Sequence, residues 1–133
     1  MARDTLLVTG SRGWTDPEPI KRWLGLVMAQ TNIRRLVHGG ARGADTLADI
    51  VWRELGGTVE AYPVDEAIDG PWPRAGHNRN ERMVRREQKR IARALAFTTP
   101  TRAGMTAGTA NCVARCLGAG IVVTVVPDQT GFG

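Results

Sequence analysis

The sequence predicts an α/β fold in which a mainly parallel sheet of about five strands is covered by helices on both faces. Two observations carry this. Short apolar runs rich in β-branched residues alternate with helical stripes along the chain, and parallel strand pairs need such crossover helices. Three glycine-rich turns, Gly10-Ser11-Arg12-Gly13, Gly39-Gly40-Ala41-Arg42-Gly43-Ala44-Asp45 and Gly104-Met105-Thr106-Ala107-Gly108-Thr109, each come after one of those runs. Together they describe a single Rossmann-like three-layer sandwich, and 133 residues fit one domain spanning 1–133.

The elements follow in order. Thr5 to Thr9 is a short buried strand, and Asp16-Pro17 supplies an N-cap with proline at the first helical position. Ile20, Trp23, Leu24, Val27 and Met28 then recur at helical spacing and face the sheet. Arg35 to His38 is the second strand. Ala44, Leu47, Ala48, Val51, Trp52 and Leu55 form the buried stripe of a second helix, which Gly56-Gly57 ends. Thr58 to Tyr62 is the third strand. Pro63 to His77, with three prolines and two glycines, reads as a long loop of the kind that carries function. A basic helix is predicted over Arg79–Arg93, with Met83, Val84, Ile91, Ala94 and Leu95 on its buried side. The fourth strand is then Leu95 to Thr99. A last helix carries Ala110, Val113, Ala114 and Leu117, and Ile121 to Val126 is the fifth strand. The polar, glycine-rich tail from Pro127 is expected to fray.

Charge and composition narrow the function classes. No apolar run reaches the roughly 18 residues of a membrane span, and the first residues do not read as a secretory signal, so a cytoplasmic protein without a membrane partner is expected. Cys112 and Cys116, four apart on one helical face, read as small reduced core residues. Two cysteines without a nearby histidine do not make a zinc site, and neither a metal nor a cofactor is expected. The segment Arg79–Arg93 carries the whole net charge of +5, with seven cationic residues against Glu81 and Glu87. Such a face stands in solvent, holds single-stranded nucleic acid or makes a subunit contact, although it lacks aromatic platforms for stacked bases. Trp23 and Trp52 are candidates for apolar surface outside so small a core, which favours a homo-oligomer.

Glycine turns after strands let a backbone approach a ligand closely, and a helix starting there aims unpaired N–H groups at an anion. All three turns fall on the carboxyl edge of the sheet, where such folds bind ligands. The candidate ligand-binding residues are therefore Gly10, Ser11 and Arg12; Gly39, Gly40, Arg42, Gly43 and Asp45; and Thr106, Gly108 and Thr109. Ser11 can donate a hydroxyl, and the arginines offer bidentate forks to phosphate. Asp45 either caps its helix or serves a ribose hydroxyl or acid–base chemistry. His77, Arg79 and Asn80 form a further polar group where the basic helix starts, and Trp72 either stacks on a base or pins its loop. No G-x-G-x-x-G follows the first strand, and GGARGADT lacks the lysine of a Walker A loop.

VTGSRGW, LVHGGARGAD, the proline-rich loop running into AGHNRNERM, LAFTTP and TAGT occur here in one order. In that combination the chain resembles the YspA-like (YpsA-related) branch of the SLOG superfamily, whose members occur in bacteria and phages. The superfamily includes the Lonely Guy phosphoribohydrolases, the DprA-type DNA-binding proteins and ligand-sensing domains of NAD-linked defence systems. The resemblance implies a Rossmann-like pocket for a nucleotide or a nucleotide-derived molecule related to NAD or ADP-ribose. Arg79 to Met83 resembles the R-x-x-x-M helix start of the Lonely Guy enzymes, and Thr106 to Thr109 resembles part of their PGGxGT-x-E-E turn. Asn111 and Cys112 stand where that motif has its glutamates, and neither is a carboxylate acid or base. Phosphoribohydrolase-like cleavage of an N-glycosidic bond would then fall to Asp45, Glu81 or Asp65 as the catalytic residue. The leading expectation is a sensor, sponge or processing protein that binds a nucleotide-derived small molecule, with the hydrolase and the nucleic-acid-binding protein as alternatives.

Overall fold

A computed structural model describes residues 3–99 and 104–128. The chain runs β1 (Thr5–Gly10), α1 (Pro17–Gln30), β2 (Arg35–His38), α2 (Ala44–Glu54), β3 (Thr58–Ala61), α3 (Glu66–Asp69), α4 (Ala75–Glu87), β4 (Ile91–Thr98), α5 (Ala107–Gly118) and β5 (Val123–Pro127). The five strands form one sheet in the order β3-β2-β1-β4-β5, and every neighbouring pair is parallel. This is the α/β architecture that the alternation predicted.

Alternation along the strands sends side chains to two separate cores. Leu6 and Val8 point to one face, where they meet Ile20 and Leu24 of α1 and Ala48 and Trp52 of α2. Leu7 points to the other, with Met83 and Val84 of α4 and Cys112 and Cys116 of α5. The strand order reverses between β1 and β4, because the chain builds outward to β3 and then returns to the other side of β1. Such a reversal leaves a crevice at the carboxyl edge, since the helices on its two sides leave in opposite directions.

Asp16 caps α1 as expected, its carboxylate accepting from Glu18 N at 3.0 Å, with Pro17 in the first turn. Several boundaries differ from the sequence prediction. The predicted loop 63–77 contains the single-turn α3 and the start of α4, so His77 lies inside a helix. The basic helix ends at Glu87 rather than Arg93, and Ile91 opens β4. Alanine and arginine favour helix locally, but Ile91 to Leu95 lie in a strand between β1 and β5, and tertiary pairing overrides propensity there. Glu87 fixes the helix end, because its carboxylate is buried against Arg35 and Tyr62.

The buried stripe of α5 is Thr109, Cys112 and Cys116, so the two cysteines are core residues as expected, whereas Leu117 is exposed. Leu55 is likewise exposed, whereas Trp52 is completely buried and Trp23 packs against the core. The tryptophan argument for a homo-oligomer therefore loses Trp52. β3 is an edge strand with Thr58, Glu60 and Ala61 exposed, unlike the fully apolar strands expected. Pro127 ends β5, Asp128 N donates to Thr98 O at 2.7 Å, and the rest of the predicted tail lies outside the described residues.

Candidate functional site

A cleft of about 390 Å³ opens where the crevice was expected, a size that suits a small-molecule ligand. Of the predicted residues, Gly10, Ser11, Arg12, Gly39, Asp45, His77, Arg79, Asn80, Thr106, Gly108 and Thr109 line it. All three glycine turns thus contribute. Gly40, Arg42 and Gly43 belong to the second turn but do not line the cleft, and the Arg42 side chain is exposed.

The first turn is built by close packing. A Cβ on Gly10 would stand 2.5 Å from Ala44 Cβ and from Phe97 O, so only glycine lets β1 end between α2 and β4. Ser11 N donates to Phe97 O at 2.9 Å, and Ser11 O accepts from Trp14 N at 3.2 Å and Ala44 N at 3.1 Å. Ser11 Oγ accepts from Gly13 N at 3.2 Å, which leaves its O–H able to donate into the cleft. Arg12 is exposed at the rim, its guanidinium carbon 5.5 Å from the centre of the Trp72 ring. Trp72 also lines the cleft and is half exposed.

Buried polar groups organise the second turn. His38 Nδ1 accepts from Gly40 N at 2.9 Å, so Nε2 carries the hydrogen and donates to Asp49 Oδ2 at 2.7 Å. Both ring nitrogens are occupied in holding the loop. Asp45 is 4 % exposed; its Oδ2 accepts from Gly39 N at 3.1 Å and Ala41 N at 3.3 Å, while Oδ1 has no partner. The carboxylate therefore ties down the preceding loop rather than capping α2. Burial pushes its pKa above the ordinary range, against the opposing pull of His38, the two N–H donors and Arg79.

Arg79 does not stand free for a phosphate, as the sequence suggested. Its Nη1 donates to Gly39 O and, at 3.2 Å, to Tyr62 O, and its Nε donates to Asn80 Oδ1 at 2.9 Å. A Cβ on Gly39 would come within 2.6 Å of the guanidinium carbon, so the glycine makes room for this arginine. Burial lowers the Arg79 pKa, and Asp45 partly opposes the shift. Asn80 joins α4 to α5 by donating to Gly108 O at 3.3 Å and Asn111 Oδ1 at 3.2 Å. Asn111 is thus a bridging residue.

The amino ends of α4 and α5 both reach the cleft. The N-cap residues Arg74 and Thr106 make no side-chain capping bond, and Gly76 and His77 of α4 and Gly108 and Thr109 of α5 are lining residues. Thr106 and Thr109 hydroxyls lie 3.0 Å apart at the start of α5. Each helix start carries a partial positive charge on N–H groups that a ligand anion can satisfy. The chemistry offered is N–H donors, hydroxyls and one partly paired carboxylate.

Glu81 does not belong to this constellation. It is exposed, pairs with Arg85 at 3.3 Å and lines a separate depression with Ile68 and Asn78. The expected catalytic role of Glu81 is therefore corrected, and Asp45 is the only acid among the described lining residues. The predicted basic face over residues 79–93 is also dispersed. Arg79 and Arg82 are buried, Arg90 pairs with Asp4 at 2.7 Å, and Arg93 reaches Thr124 from within β4 at 2.9 Å. Among the described residues, no cluster of three or more His, Cys, Asp or Glu is arranged to hold a metal ion.

Sequence reasoning missed the support beneath α4. Arg82 makes two 2.9 Å bonds to the carboxylate of Asp69, and Asp69 Oδ2 also accepts from Asp65 N at 2.9 Å. Asn78 Nδ2 donates to Asp69 O at 2.8 Å. The signal was present as an acidic pair in the proline-rich segment before an arginine-rich helix, but nothing in the sequence paired Asp69 with Arg82.

Residues 5–67 match the sequence profile of the YspA, cpYpsA-related SLOG family, YAcAr, which covers the first two glycine turns. The resemblance drawn from the motifs is to this family. The fold is similar to DNA processing protein A (DprA) from Streptococcus pneumoniae, with a TM-score of 0.67 at 16 % identity, over 95 % of this chain and 51 % of that one. The chain therefore spans about half the length of that protein. No curated protein matches the sequence.

Proposed function

We propose that this protein is a nucleotide-binding module of the SLOG kind, which takes a phosphate-bearing, nucleotide-derived small molecule at the carboxyl edge of β1 and β4. One observation carries the reading: two helix starts whose N-cap residues make no side-chain capping bond and a glycine turn converge on a single cleft of about 390 Å³. The phosphate is assigned to the start of α5, where the N–H groups and the hydroxyls of Thr106 and Thr109 stand together, in the cleft that Ser11 also lines. An aromatic base is assigned to the rim, where Trp72 offers a half-exposed ring beside Arg12. The family match supports a nucleotide-related ligand, and Trp72 and Pro73 of the proline-rich segment line the cleft.

Thermal unfolding against AMP, ADP, NAD, ADP-ribose and short single-stranded DNA tests this. Ligand at about 100 times its Kd adds roughly 2.7 kcal/mol and moves the midpoint by several degrees. A selective shift with one nucleotide is the expected result. A flat response to all the small molecules, with a salt-dependent shift from DNA, would replace this reading with nucleic-acid binding.

A hydrolase reading is favoured by one residue. Asp45 has its carboxyl pKa raised by burial and lines the cleft, as a general acid for a departing base must. Release of free base from a bound nucleotide, followed by chromatography, would establish it.

A further inference from the structure

Asp45 presents an imbalance that the protein itself does not resolve. Its carboxylate lies in a cleft whose other described lining groups are neutral or cationic, and it is almost entirely buried. Oδ2 is satisfied by the N–H groups of Gly39 and Ala41, whereas Oδ1 is buried without a hydrogen-bond partner. Buried polar atoms in folded proteins are nearly always paired, and at a cleft a ligand group can supply the partner. The two N–H bonds also hold the carboxylate in one orientation, so Oδ1 is a fixed position rather than one of two interchangeable oxygens.

The chemistry of the missing partner is restricted. A phosphate oxygen beside the ionised carboxylate would set two anionic acceptors against each other, which favours the helix starts for the phosphate. A hydroxyl fits Oδ1 in either protonation state, because it donates to the carboxylate and accepts from the carboxylic acid. Position restricts it further: with the phosphate on α5 and a flat base on the exposed Trp72 ring, the sugar is the part left for the buried wall.

We infer that Asp45 receives a hydroxyl of the ligand's ribose and makes the cleft selective for ribonucleotides over their deoxy counterparts. This inference rests on the nucleotide reading above and adds the sugar to it. Sites built to bond a hydroxyl reject the analogue lacking it far more strongly than apolar sites reject a missing methylene, because the protein's own polar atom is left unpaired.

The test is a calorimetric titration of the unmutated protein with matched pairs. The probes are ribose 5-phosphate against 2-deoxyribose 5-phosphate, each of AMP, GMP, CMP and UMP against its 2′-deoxy form, and AMP against 3′-deoxy-AMP. The expected result is a loss of about tenfold or more on removing the 2′- or the 3′-hydroxyl. Asp45→Ala, which removes the oxygen that the hydroxyl would meet, should bring the ribose-to-deoxyribose ratio close to one. Equal affinity across every matched pair in the unmutated protein would overturn the ribose assignment and leave the nucleotide reading standing. Failure of all these probes, with ADP, NAD and ADP-ribose failing as well, would overturn both.

Discussion

Placing a methyl group at Gly108 separates the fold from the site. Gly108 lies in the first turn of α5, and a Cβ built there meets nothing within 4 Å. Alanine at a position with compatible backbone stabilises by about 0.4–1 kcal/mol, chiefly by reducing the freedom of the unfolded chain. For 133 residues the unfolding entropy is about 0.28 kcal/mol/K, so the midpoint should rise by about 1–4 °C. The same open space faces the cleft, and the new methyl would occupy the approach of a phosphate to the N–H groups of α5. Loss of one charge-assisted hydrogen bond, about 1.5–3 kcal/mol, weakens binding roughly 10- to 150-fold. The assay is thermal unfolding of wild type and Gly108→Ala, without ligand and with the nucleotide that shifts the wild type. A higher midpoint without ligand and a lost ligand shift are expected. An undiminished ligand shift would refute the placement of phosphate on α5, and a lower midpoint without ligand would refute the helix start itself.

Gly10→Ala is expected to destabilise by about 1–3 kcal/mol in urea, because its Cβ meets the backbone carbonyl of Phe97 at 2.5 Å; a change under about 0.5 kcal/mol would contradict that packing. Acid should weaken the fold through Asp69 and Glu87. The Arg82 hydrogen bonds hold Asp69 below its ordinary 3.8; at Glu87 burial raises the pKa, but bonds from Arg35 and Tyr62 outweigh it and hold it below 4.5. Both native pKa values lie under the unfolded ones, so this stability is present at neutral pH and is lost as pH falls below about 4.5 through the native values. Urea midpoints should fall across that window, and the fall should be smaller in Asp69→Asn. Tyr62 is the single tyrosine, and burial together with its hydrogen bond to Glu87 pushes the phenol up to about 12. Tyrosinate absorbance rising near pH 10 in the folded protein would contradict the Tyr62–Glu87 contact.

The legible parts of this chain were those fixed by local chemistry. Asp16-Pro17 announced a helix start, and glycines after apolar runs announced turns at the sheet edge, because capping and close backbone approach act over a few residues. Ile91 to Leu95 misled because alanine and arginine are helix formers, and only the neighbouring strands decide otherwise. On α5 the sequence placed Cys112 and Cys116 in the core, but it did not show Thr109 beside them. Small residues carry little hydrophobic signal, and Leu117 pointed to the wrong side of α5. Within the site, the sequence could nominate charged residues but not say which were already engaged. Arg79 serves two backbone carbonyls, Arg82 serves Asp69, and Arg42 faces solvent, all of which depend on contacts distant in sequence. Asp45 was recognisable as a candidate, yet its one unpartnered oxygen is a property of the folded loop alone.

The central claim is that a nucleotide occupies the cleft at the carboxyl edge of β1 and β4. Backbone amide resonances followed during titration with the nucleotide that gives the thermal shift test it most directly. The account predicts saturable changes at Ser11, Gly39, His77, Gly108 and Thr109, with little movement at the exposed residues Arg85, Arg86 and Lys89. Changes concentrated on those three, with the cleft amides unmoved, would contradict it.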